Sequence, residues 1–166
     1  MSVFAGRHGA TIEGDFVVFL IGMRFNRPWK LRRTLVVFGA MRPMVKELEA
    51  NPQSGFLGAE FGFMYGGPAL VQFWRSFEDL DRYARDPDAR HLPAWKRFNQ
   101  LVRGSGDVGI WHETYRVQAG EYEAIYGNMP RVGLAAAGEH APLGSTSTAP
   151  QRIGAQPDDR APVAGY

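Results

Sequence analysis

Between Asp15 and Asn26 the chain reads DFVVFLIGMRFN, an apolar run with no polar side to offer to water. It is too short to cross a bilayer, which takes roughly 18 residues. Its Val, Ile and Phe content predicts a β-strand, and the absence of apolar–polar alternation predicts that both of its faces are covered. Whatever fold the chain adopts must place this strand inside a sheet and supply a layer of structure on each side of it.

The segments that follow supply candidates for those layers. Pro28 permits a helix start, and Leu31, Leu35, Phe38, Met41, Val45 and Leu48 recur at steps of three and four, predicting a helix over Trp29 to Ala50. Pro43 falls inside that stripe and predicts a kink or break, because it lacks an N–H and collides with the preceding turn. Phe56 to Tyr65 and Ala69 to Arg75 read as strands joined by Gly66-Gly67-Pro68, with Gly58 and Gly62 suggesting a bulge or a close backbone approach. Ser76 with Asp79 three residues on is a helix N-cap signal, and Asp86-Pro87-Asp88 predicts a bend between two helical pieces over Ser76 to Arg103. Val108 to Val117 reads as the last long strand, with Tyr122 to Tyr126 extending or pairing with it.

The order βαββαβ predicts an α+β, ferredoxin-like domain over residues 15–132, a four-stranded antiparallel sheet with two helices on one face. Its other face needs a cover, and a second subunit packed sheet to sheet would give a dimeric α/β barrel and a homodimer. Residues 1–14, with Gly6, Gly9 and Gly14, read as a flexible arm. Residues 133–166 are dominated by Ala, Gly, Ser, Pro and Thr and are expected to be disordered.

Composition narrows the function classes. With no cysteine in 166 residues, disulfides, thiolate metal sites and Cys nucleophiles are excluded. The first fifteen residues lack a signal-peptide layout, so a cytoplasmic protein with no stable membrane insertion is expected. Arg24, Arg27, Lys30, Arg32, Arg33, Arg42 and Lys46 form a basic stretch without an acid. With no recognised motif beside it, that stretch reads as a solvated face or as a contact for an anionic substrate or membrane surface, and nucleic-acid binding is not expected. Phosphate-loop, dinucleotide and metal-ligand spacings are absent from the sequence.

The densest chemistry lies in Trp111-His112-Glu113-Thr114-Tyr115. Adjacent strand residues point to opposite faces, so His112 and Glu113 cannot act as a base and its orienting carboxylate. His112 shares a face with Val108, Ile110 and Thr114, whereas Glu113 shares one with Trp111 and Tyr115. His112 is the candidate general base, or alternatively an axial haem ligand.

The segments FWRSFEDLDRYARDPDARHLPAW (73–95) and HETYRVQAGEYEAIYGNMPRVGLAAAG (112–138) resemble the dimeric α/β-barrel superfamily. That superfamily includes antibiotic-biosynthesis-type monooxygenases and, more distantly, haem-binding aldoxime dehydratases and haem-degrading enzymes. More closely, the chain resembles a small bacterial and fungal family described as monooxygenase-like. The resemblance implies a ferredoxin-like dimer with an apolar cavity that takes a small hydrophobic substrate of natural-product type. The resemblance transfers no catalytic residue; joined to the reading of the residues, it leaves His112 as the expected base, with no cofactor required and Asn26, Trp74, Tyr83, His91, Trp95, Tyr115 and Asn128 expected to meet the substrate. It also implies that Asn26 and Trp74 pair in that cavity, and that His91, four residues before Trp95, lies near the helix position that ligates haem iron in some relatives. Haem-dependent dehydration or peroxidation, and ligand binding without catalysis, are the alternatives.

Overall fold

The computed structural model describes residues 1–30, 42–88, 96, 100, 104–144 and 148–153. They divide into two compact units, one formed by residues 17–115 and the other by residues 1–16 together with 116–166.

The central unit holds strands β2 (Phe16–Phe25), β3 (Phe56–Met64), β4 (Gly67–Trp74) and most of β5 (Val108–Val117). Their order across the sheet is β3-β4-β2-β5. Residues 42–49 are helical between β2 and β3 (α1), and helix α2 (Phe77–Arg85) follows β4. This is the βαββαβ ferredoxin-like topology, in which the first and third strands are central and the second and fourth form the edges. The apolar run that dominates the sequence is β2, held between β4 and β5 as expected.

Register assigns the two faces. Val17 pairs with Trp74, Phe19 with Gln72 and Ile21 with Leu70. These residues face the helices, where Val17 and Trp74 cluster with Leu48 and Leu80, and Met23 and Leu70 with Val45. Val18, Leu20 and Gly22, paired with Phe73, Val71 and Ala69, therefore point the other way. Trp111 lies on that far face, and a Cβ at Gly22 would stand 2.7 Å from its indole. Glycine at position 22 leaves room for the bulky ring of β5 to pack closely against β2.

Local signals explain the boundaries. The Ser76 hydroxyl accepts from the Asp79 N–H at 3.1 Å, capping α2. The Asp79 carboxylate, 4 % exposed, is held by Arg75 and Arg82, each at 2.8 Å. The helix stops at Asp86, before Pro87. The β3–β4 turn is one residue earlier than Gly66-Gly67 suggests. Tyr65 and Gly66 both have positive φ, 52° and 84°, between the paired Met64 and Gly67, which is the two-residue type I′ geometry. Arg24 Nη1 donates to the Tyr65 carbonyl at 2.9 Å, which helps an ordinary side chain hold the left-handed position. Gly67 and Pro68 belong to β4 instead. The register shift expected around Gly58 is present, between Phe56 and Gly58. Pro43 is among the helical residues 42–49, and Pro28–Lys30 form a 3-10 turn; residues 31–41 of the first predicted helix are outside the described residues.

The second unit departs from the sequence expectation. Residues 1–14 hold strand β1 (Phe4–Thr11), which pairs antiparallel with both β6 (Ile125–Met129) and β7 (Glu139–Pro142). β6 thus pairs with β1 and not with β5. Helix α3 (Leu134–Ala137) and strand β7 occupy residues assigned to the tail, as does α4 (Ala149–Arg152). The Tyr122 hydroxyl accepts from the Ile12 N–H and donates to the Ile12 carbonyl, at 2.6 and 3.1 Å, and its ring meets Phe16 edge-on. Leu134 and Ala135 are buried. A few such anchors order a segment whose composition alone promises little.

In the same unit the rings of His8 and His140 stack at 4.6 Å and 15°, with Phe4 edge-on to both. His8 Nδ1 and His140 Nε2 are shielded from solvent without hydrogen-bond partners. Desolvation, then the neighbouring charges of His8 and Arg131, hold the His140 pKa below the usual imidazole value.

Candidate functional site

The helix-side face of the central sheet brings together three of the sequence-predicted residues. Trp74 is fully buried, with Phe56 edge-on at 5.3 Å and Tyr83 of α2 tilted against it at 5.6 Å. Burial, followed by the charges of Glu47 and Asp86, pushes the Tyr83 phenol up to about 12, so it stays protonated. One row further along the sheet, Phe19 lies beside Gln72, and the His112 ring stands 5.8 Å from the Phe19 ring. The imidazole is itself exposed. A basic nitrogen thus stands at one side of an aromatic floor that continues into a buried Trp–Tyr–Phe cluster.

The other candidates fall elsewhere. Tyr115 is on the opposite face from His112, where its hydroxyl donates to Glu113 Oε2 at 2.7 Å. That hydrogen bond raises the pKa of the Tyr115 phenol, and the Glu113 charge adds to the rise. The expected separation of His112 from Glu113, and the pairing of Glu113 with Tyr115, are what strand alternation dictates. Asn26 lies beyond the far end of β2, and its side-chain amide donates to the Gly106 carbonyl at 3.0 Å. Trp74 pairs with Val17, nine residues earlier, so Asn26 and Trp74 are separated by about 30 Å of strand and form no pair. Asn128 sits in β6 of the second unit with φ 53°, and its Oδ1 accepts from the Gly6 N–H at 2.9 Å. Its side chain fastens β6 to β1. His91 and Trp95 lie outside the described residues.

Two participants were missed by sequence reasoning. Phe19 was treated only as part of an apolar strand, and Gln72 was passed over in ALVQFWR. Gln72 is 8 % exposed, and its Oε1 accepts from Trp74 Nε1–H at 2.9 Å. The signal was available. A glutamine two residues before a tryptophan in a strand shares its face, and a polar residue inside a covered strand needs a partner. Among the described residues no group of three or more His, Cys, Asp or Glu could hold a metal ion. No described helix is long and apolar enough to cross a membrane.

Fold and site together describe a ferredoxin-like α+β protein with an imidazole on the helix-side face of its sheet. The family model described as "Monooxygenase af470-like" matches residues 16–134, and the chain belongs to that family. It is 30% identical over 134 residues to monooxygenase af470 of Aspergillus fumigatus. That match covers 74% of this chain and 46% of the relative, so the chain spans about half of the relative's length. Among solved structures, it is similar to a dimeric protein of unknown function and ferredoxin-like fold from Bacteroides fragilis. The identity is 17% and the TM-score 0.43, over 62% of this chain and 95% of that one. A dimeric ferredoxin-like protein of unknown function from Jannaschia sp. is similar at 14% identity and a TM-score of 0.40, over 59% of this chain and 97% of that one.

Proposed function

We propose that the protein is a monooxygenase-like enzyme that oxygenates a small hydrophobic substrate of natural-product type against the helix-side face of its central sheet. The observation that carries this reading is the placement of His112 beside Phe19, at the edge of the aromatic cluster of Trp74, Phe56 and Tyr83. Membership in a family described as monooxygenase-like supports the reaction class.

In the mechanism that these residues support, His112 takes a proton from an activated C–H of the substrate, leaving a carbanion or enolate. The anion itself reduces O₂. A methylene is oxidised to a carbonyl, one oxygen atom stays on carbon, and the other leaves as water with the two protons removed. An apolar floor such as Phe19, backed by the buried Trp74, weakens solvation of the anion and favours electron transfer to oxygen. The chemistry proceeds in this reading without haem or a bound metal.

The protein works as a homodimer in the same proposal. Val18, Leu20, Val71 and Trp111 give the sheet face away from the helices an apolar centre, suited to a second copy of that face.

The test is oxygen uptake by metal-free protein with 2-tetralone, a bicyclic ketone whose C1 methylene is acidic. Wild-type protein is expected to consume O₂, and His112→Ala to lower the rate by a factor of about 10²–10⁴, the usual contribution of a general base. Added imidazole should restore part of it. Equal rates in the two proteins would remove His112 from the mechanism. A Soret band in the purified active protein would overturn the cofactor-free reading.

A further inference from the structure

We infer that Gln72 is a substrate-positioning residue, whose carboxamide NH₂ donates a hydrogen bond to a carbonyl oxygen of a flat, apolar substrate lying over Phe19. This rests on the assignment of the helix-side face as the site.

An indole N–H can only donate, so the Gln72 atom 2.9 Å from Trp74 Nε1 must be the carbonyl oxygen. Trp74 is fully buried and wedged by Phe56 and Tyr83, so the indole cannot turn to release it. With Oε1 fixed, the NH₂ end of Gln72 is fixed as well and points away from the indole. Among the described residues, no hydrogen bond involves that NH₂. The residue is 8 % exposed, yet among the described residues its NH₂ is not one of the buried side-chain atoms left without a partner, so that end stays open to solvent and to a ligand.

Its place in the sheet says what the partner would be. Gln72 pairs directly with Phe19, and Phe19 touches His112 on the next strand, so the three share one row on one face. Gln72 and His112 are two strand spacings apart, roughly 10 Å, with the Phe19 ring between them. A fused bicyclic system is about that long. Such a molecule lying on Phe19 would meet a base at one end and a preset donor at the other. Because the donor is neutral and its partner must accept, the geometry selects a ketone or quinone-type oxygen over an ammonium or a hydrocarbon. A carbonyl conjugated to the carbon that loses its proton would become more basic as the enolate forms. The hydrogen bond from Gln72 would then strengthen at the step that needs it.

The experiment compares 2-acetylnaphthalene with 2-ethylnaphthalene, near-isosteres that differ in the carbonyl, by equilibrium fluorescence titration at pH 5 and pH 8. Wild-type protein is expected to favour the ketone by about three- to tenfold at both, the effect of one neutral hydrogen bond. Gln72→Glu keeps an oxygen for the Trp74 indole but offers a donor only while its carboxyl is protonated. Desolvation at this buried position holds that carboxyl above the ordinary glutamate value of about 4.3, so its preference for the ketone should be regained in large part at pH 5 and vanish at pH 8, which a purely structural glutamine would not produce. If Gln72→Glu does not fold, the wild-type side-chain amide ¹⁵N–¹H resonances of Gln72 should shift with the ketone and not with the hydrocarbon. Equal binding of the two probes by wild type, or a ketone preference that survives at pH 8 in the variant, overturns the role of Gln72 and leaves the proposed reaction standing. Failure of wild type to bind either probe would overturn both.

Discussion

Trp74→Phe is the substitution whose cost can be worked from the contacts. Trp74 is fully buried among Val17, Leu48, Leu80, Phe56 and Tyr83, and it is the donor that satisfies Gln72 Oε1. The smaller ring leaves a void of roughly 35 Å³, which at about 24 cal/mol per Å³ costs about 0.8 kcal/mol. The lost hydrogen bond strands a carbonyl oxygen on a side chain that is 8 % exposed, adding about 1–3 kcal/mol. The expected loss is therefore about 2–4 kcal/mol, with the larger share polar. Urea unfolding followed by far-UV circular dichroism measures it, since fluorescence would lose one of its reporters. A second comparison isolates the polar part. In a Gln72→Met background the indole N–H has already lost its acceptor, so Trp74→Phe strands no carbonyl and removes an unpaired donor; it should cost no more than the void's roughly 0.8 kcal/mol, and the difference between the two backgrounds measures the coupling. Additive costs in the two backgrounds would mean that the indole–amide contact contributes nothing, and the orientation argument for Gln72 would fall with it.

Other consequences concern the far sheet face and the ionisable groups. Gly22→Ala places a Cβ 2.7 Å from the Trp111 indole, so the ring must shift. Overpacking of this kind costs about 1–3 kcal/mol, and because Trp111 lies on the proposed subunit face, light scattering should report weakened dimerisation. An obligate monomer in the wild type would contradict the shared-sheet assembly. Tyr83, raised to about 12, keeps its proton between pH 10 and 12 while the unfolded chain loses it, so stability falls across that window. Tyr83→Phe should flatten that limb, and absorbance at 295 nm should show one fewer late-ionising phenol. His140 is shifted the other way. Its neutral form is favoured in the folded unit, so stability is present above about pH 6.5 and is lost as pH falls through the depressed value. His140→Phe should reduce the acid loss of amide protection in β1 and β7, and an unchanged acid profile would refute the stacked pair as its source.

The central sheet was legible because its signals are local and agree with one another. The apolar β2, the Ser76 cap, the glycine-marked hairpin and Val108–Val117 each announce themselves within a few residues. The second unit was not. β1 contains FAGRHGAT, whose few large side chains give no periodicity, and its partners β6 and β7 come more than a hundred residues later. Pairing at that separation leaves no trace in a local window. Within the site, alternation correctly divided His112 from Glu113 and joined Glu113 to Tyr115. It could not reveal that Asn26 and Asn128 spend their side chains on backbone groups, since both contacts depend on where distant loops return. Gln72 was recoverable, because its spacing from Trp74 already implied a shared face.

The most direct test of the account follows the oxygen atoms. Metal-free wild-type protein given 2-tetralone under ¹⁸O₂ is predicted to yield a product carrying one labelled oxygen at C1 and one labelled water for each turnover. His112→Ala, folded to the same near-UV spectrum, should form that product at least a hundredfold more slowly. Labelled product formed as fast by the alanine variant, or no product from wild type, would contradict oxygenation at the helix-side face with His112 as its base.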